Sequence, residues 1–100
     1  MKFEMTLFRD EVKVAGDQLA AVMYSLTVEH VVEPEVNYDA ITWYSVTVDS
    51  MDLYDDNGQQ IDVDCTNEND PNVAAALAAF DRDEPEQDEL FNAAGLGHNA

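Results

Sequence analysis

Eight carboxylates stand between Asp49 and Asp70 with no lysine or arginine among them: Asp49, Asp52, Asp55, Asp56, Asp62, Asp64, Glu68 and Asp70. A second group, Asp81, Asp83, Glu84, Glu86, Asp88 and Glu89, contains a single base, Arg82. Paired carboxylates can run acid–base chemistry or hold cations. In quantity they make a surface that imitates a run of phosphates and attracts a basic partner. The chain carries 22 acidic and 4 basic residues in 100, a formal charge of −18. Phosphate backbones are contacted by Lys and Arg, so this balance excludes unaided nucleic-acid binding and disfavours an anionic membrane. The same acidity also fits plain solubility or adaptation to high salt.

Other chemistries find little support. Setting Gly58 as the glycine of a calcium loop places Asp55, Asn57 and Asp64 at ligand positions, but Leu53 falls at the first and cannot coordinate. Cys65 is the one cysteine, which excludes an internal disulfide and a Cys-based zinc site. His30 and His98 have no neighbours at ligand spacing. Ser25, Ser45 and Ser50 lack a Gly-x-Ser-x-Gly setting. No catalytic residue, cofactor or metal is therefore expected, and the chain reads as a non-enzyme.

The elements that must position the acids follow from periodicity. Phe3 to Leu7 alternates apolar and polar, the period of a half-buried strand, and Val12 and Val14 continue it after a turn near Arg9-Asp10. Gly16-Asp17 breaks the pattern. Met23 to Val32 is β-rich, with Leu26, Val28, His30 and Val32 on one face, and Glu33-Pro34-Glu35 ends it because proline donates nothing to a ladder. Ile41 to Tyr54 is the most strand-like run, with Trp43, Tyr44, Val46 and Val48. Val46 and Val48 have the opposite parity to Met51 and Leu53, so a bulge near Asp49-Ser50 is expected.

Asp55-Asp56-Asn57-Gly58 is a hairpin turn. A two-residue turn would set Leu53 against Asp62. A three-residue loop with Gly58 left-handed pairs Leu53 with Ile61 and Met51 with Val63, so one face is wholly apolar. Its other face sets Tyr54 by Gln60, Asp52 by Asp62 and Ser50 by Asp64. Asp70 and Pro71 then start a helix as N-cap and first residue, with Val73, Ala76, Leu77 and Phe80 at helical spacing. A shorter helix spans residues 86–94 with Leu90 and Phe91, and residues 95–100 read as a frayed tail.

The motifs running from Val22 through Glu33-Pro34, Ser45-Val46-Thr47-Val48 and Asn57-Gly58 to Ile61-Asp62-Val63, then a short helix, resemble short proteins of tailed bacteriophages. The likeness covers about half the chain. It implies a small α+β fold working in a host bacterial cytoplasm. In size and charge the chain is also similar to acidic phage inhibitors of host defence, the anti-CRISPR and anti-restriction DNA mimics.

The reading is one α+β domain over residues 1–94: an antiparallel sheet of four or five strands with one or two C-terminal helices. No apolar run approaches the roughly 18 residues of a membrane span, and Met1 to Met5 does not read as a signal peptide. The expected partner is a basic surface on a host nucleic-acid-binding protein, and the chain itself is a monomer or homodimer. The expected contact residues are Asp52, Asp55, Asp56, Asp62 and Asp64, joined by Asp81, Asp83, Glu84 and Glu86. The alternative is a virion, assembly or accessory protein whose acidity serves only solubility.

Overall fold

The computed structural model describes residues 1–96. Three long strands form one antiparallel meander, β1 (Lys2–Lys13), β2 (Leu19–Glu33) and β3 (Tyr38–Asp52), in spatial order β1-β2-β3. Two helices follow, α1 (Pro71–Arg82) and α2 (Gln87–Ala93), and both pack against the sheet. The chain is thus α+β with C-terminal helices, but its sheet has three strands rather than four or five. Two causes account for the difference. The run after Arg9 does not turn; β1 passes through a bulge at Asp10-Glu11 and keeps pairing with β2, with Arg9 opposite Val22 and Val12 opposite Ala20. The run after Gly58 forms one bridge, Tyr54 to Gln60, and then leaves the sheet.

Short turns join the strands. Between β1 and β2, Val14 N–H bonds to Gln18 O (2.8 Å) across a single 3-10 turn, with Gly16 and Asp17 both at positive φ. Between β2 and β3, Pro34 to Val36 makes another, and Asn37 closes it at φ 57°, its N–H on Pro34 O. Asparagine tolerates the left-handed region better than most residues.

The core face of β3 shows how bulges rescue a pattern. Met23 faces Ser50 while Tyr24 faces Val48, which leaves Asp49 as an extra residue. Thr27 faces Ser45 while Val28 faces Trp43, which leaves Tyr44 as another. The inward pairs Ile41/Trp43, Val46/Val48 and Met51/Leu53 therefore recur every fifth residue, and all six join the core or pack against it. Each bulge flips the parity of the strand once, so every pair returns to the same face. The β2 residues Ala20, Val22, Tyr24, Leu26 and Val28 are all buried beneath the helices.

Asp70 caps α1, its carboxylate accepting from the N–H groups of Asn72 and Val73, with Pro71 in the first turn. Val73, Ala76, Ala79 and Phe80 face inward. The Phe80 ring lies 5.0 Å from that of Tyr24 and 5.1 Å from that of Trp43. Tyr24 is fully buried, and its phenol donates to Ala76 O (2.7 Å), so no hydroxyl is stranded in the core. Burial drives the phenol's pKa above its ordinary value. Gly95 and Leu96, assigned to the tail by sequence, instead close α2. Gly95 sits at φ 74° with its N–H on Asn92 O, and Leu96 N–H reaches Phe91 O. This is the Schellman arrangement that satisfies end carbonyls. The rest of the expected tail, including His98, lies outside the described residues.

Side chains, not further strands, guard the outer edge of β3. Gln87 accepts from Ile41 N–H at 2.9 Å and donates to Ile41 O at 2.8 Å, so its amide stands where a fourth strand would pair. On the other side of the sheet β1 begins beside Glu29, so the β2–β3 hairpin extends past it as a two-stranded arm. Sequence alternation puts His30 and Val32 on one face with Leu26 and Val28. On this arm His30 is half-buried against the edge of Phe91, and Val32 is 53% exposed.

Candidate acidic interface

The hairpin turn holds the centre of the expected patch. Asp55 N–H bonds to Gln59 O, Gly58 N–H bonds to Asp55 O, and Gly58 lies at φ 77°. Ile61 N–H bonds to Leu53 O at 2.8 Å, which is the three-residue register. The Asp55 carboxylate turns inward on its own loop and accepts from Asn57 and Gln59 N–H. It therefore shapes the turn as well as charging it. Asp56 is exposed at the tip. Asp52 accepts from Gln60 Nε2 at 3.4 Å.

The expected ladder of Asp52 with Asp62 and Ser50 with Asp64 does not form. Continuing the hairpin would set like charges opposite each other, which destabilises a sheet by tenths to about 1 kcal/mol per pair. The chain instead tucks Ile61, Val63 and Cys65 against the core and leaves Asp62 and Asp64 exposed. Asp64 then makes a turn of its own, accepting from Thr66 N–H (3.1 Å) and Thr66 Oγ1 (2.6 Å). These bonds hold its pKa below the ordinary value. Asp49 and Asp70 come close to Cys65 as Asp64 does. Burial first, and then the field of these three carboxylates, pushes the thiol pKa up. Asp49 stands exposed as the extra residue of its bulge.

The second group lies on the connector between the helices. Asp81, Asp83, Glu84 and Glu86 are all exposed. Asp83 closes α1 through its N–H on Ala79 O, and Glu86 occupies the N-cap of α2 without a side-chain cap bond.

The β1 bulge links the two groups, a role not apparent from the sequence. Asp10 and Glu11 share a groove of about 270 Å³ with Asp52, Tyr54, Leu19 and Ala21. The same two acids line a second groove, about 250 Å³, with Asp83, Arg9, Lys13 and Arg82. Carboxylates thus run around one end of the sheet, from the hairpin turn through the β1 bulge to the end of α1, where Arg9, Lys13 and Arg82 stand among them. Glu11 sits in the left-handed region at φ 54°, the conformation that turns this bulge.

Two features sharpen the contrast with the rest of the surface. No charged side chain among the described residues is buried, so the acids face water. Lys and Arg form two ion pairs among these residues, Arg9–Glu89 and Lys13–Asp17, against 22 carboxylates. The uncovered face of the sheet, by comparison, is largely uncharged. Its central rows are Thr6–Ser25–Thr47 and Phe8–Met23–Ser50. Among the described residues no group of His, Cys, Asp and Glu is arranged to hold a metal, and no helix is long and apolar enough to cross a membrane. No family model, curated protein or solved structure matches the chain.

Proposed function

We propose that this protein is a non-enzymatic inhibitor that occupies the basic nucleic-acid-binding surface of a host bacterial protein, in the manner of a phage DNA mimic. The observation that carries the reading is the acidic band around one end of the sheet. Asp52 shares a groove with Asp10 and Glu11, which share a second with Asp83, and Asp55 and Asp56 follow Asp52 on the adjoining turn. A fold that keeps so many unmatched carboxylates together tolerates self-repulsion, and a cationic partner relieves it. Asp62, Asp64, Asp81, Glu84 and Glu86 add exposed carboxylates outside these two grooves. Encounter with such a partner is fast and weakens as salt rises.

The test is a variant carrying Asp52→Asn, Asp56→Asn, Asp62→Asn and Asp81→Asn, chosen to spare the turn-forming Asp55 and Asp64. Immobilised wild-type protein should retain a nucleic-acid-binding protein from bacterial lysate at low salt and release it at high salt. The purified partner should lose its nucleic acid when the wild-type protein is added. The variant should fold at least as stably and fail in both assays. Equal competition by the variant would sink the proposal and leave the acidity as a matter of solubility.

A further inference from the structure

We propose that the outer edge of β1 pairs antiparallel with the same edge of a second copy, joining two three-stranded sheets into one. His30 N–H bonds to Met1 O, and the Met1 ammonium donates back to His30 O. That pair sets the alternation: the odd residues of β1 point their backbone groups at β2, and Lys2, Glu4, Thr6 and Phe8 point theirs outward. Unpaired edges of this kind template further strands unless a bulge, a proline or an outward lysine blunts them. The opposite edge, on β3, is blunted by the bulges at Tyr44 and Asp49 and by the Gln87 plug on Ile41. From Lys2 to Phe8 the β1 edge has neither bulge nor proline. Its lysine is drawn aside, with Lys2 Nζ 4.9 Å from the centre of the Tyr44 ring two strands away.

Charge selects a second copy as the occupant. The pairing stretch Lys2 to Phe8 holds Lys2 against Glu4, a net of 1 − 1 = 0, so the −18 lies outside it. Along Lys2 to Phe8 two copies meet with the least repulsion, and a basic partner finds its attraction beyond that stretch, at Asp10 and Glu11. A two-fold through Met5 sets Glu4 opposite the other copy's Thr6 and Lys2 opposite its Phe8, with no like charges facing.

The experiment is sedimentation velocity over a range of protein and salt concentrations. The wild type should show a monomer–dimer equilibrium that tightens as salt screens the two acidic bodies. Thr6→Pro removes only an outward N–H, and Thr6→Asp places a carboxylate opposite Glu4. Each should weaken the dimer roughly tenfold or more while circular dichroism stays native. A monomer under every condition, or a dimer indifferent to both variants, overturns the proposal. The salt dependence is opposite in sign to that expected for a basic partner, so the two readings fail separately.

Discussion

Removing Arg9 should cost this fold more than any other loss of a single charge. Its guanidinium forks onto Glu89, Nε to Oε2 at 3.1 Å and Nη2 to Oε1 at 2.8 Å, and lies 5.2 Å from the Phe80 ring centre. The two side chains are 18% and 36% exposed. Exposed pairs are worth about 0.2–1 kcal/mol, and breaking a fully buried pair costs about 3–5 kcal/mol. A half-buried bidentate pair falls between, at a coupling of about 1.5 kcal/mol. The lost contact with Phe80 adds roughly 0.5–1 kcal/mol, so Arg9→Met should destabilise by about 2 kcal/mol, or roughly 8–16 °C in Tm. The assay is a double-mutant cycle with Glu89→Gln, followed by urea unfolding, because guanidinium chloride would screen the pair. Lys13–Asp17 is the internal control, at 3.3 Å with side chains 62% and 86% exposed, and should couple by no more than about 0.5 kcal/mol. Equal couplings for the two pairs would refute the idea that burial and the forked geometry make Arg9 special.

Two further outcomes are expected. Gln87→Glu should destabilise by about 1–3 kcal/mol in urea, more than Gln87→Ala, because a carboxylate accepts from Ile41 N–H but faces Ile41 O without a proton to give. Cys65 should alkylate more slowly than a free thiol, with a pH profile displaced above the ordinary 9.0; unfolding in urea should abolish the displacement, and Asp64→Asn should reduce it. Because the folded thiol's pKa is raised, its contribution to stability is present below about pH 9 and fades as pH rises through the folded value.

Much of the architecture was legible because local rules and packing agree. Asp70-Pro71 marks a helix start, and Gly58 takes the left-handed position its turn needs. The Asp49 bulge could be inferred because Val46/Val48 and Met51/Leu53 cannot otherwise share a face. The Tyr44 bulge obeys the same five-residue frame, but Tyr44 is itself strand-like and gave no sign of being the extra residue. Arg9 looked like part of a turn because it interrupts an apolar alternation. Its burial depends on Glu89, 80 residues away, and no local pattern carries such a contact. The missing strand after Gly58 reflects charge: pairing was legible only as far as it stayed free of facing aspartates. The acids were countable from the start, but the role of Asp10 and Glu11 in joining them needed the register of β1 against β2.

The placement of neutrality is as informative as the acidity. A net −18 spread evenly would oppose both folding and association, since every surface would repel every other. Here the central rows of the open sheet face carry hydroxyl and apolar groups, and the Lys2 to Phe8 edge of β1 balances its own charges. The carboxylates crowd the turns, the bulge and the helix connector, where side chains reach water and the effective dielectric is high. Repulsion is therefore cheapest where the acids stand, and the hydrogen-bonded sheet is spared it. The two proposed associations therefore respond to salt in opposite directions. Raising ionic strength should loosen whatever binds the acidic band and strengthen whatever pairs along β1. A salt titration that moved both associations in the same direction would mean that the charge is not partitioned as the register and the grooves place it.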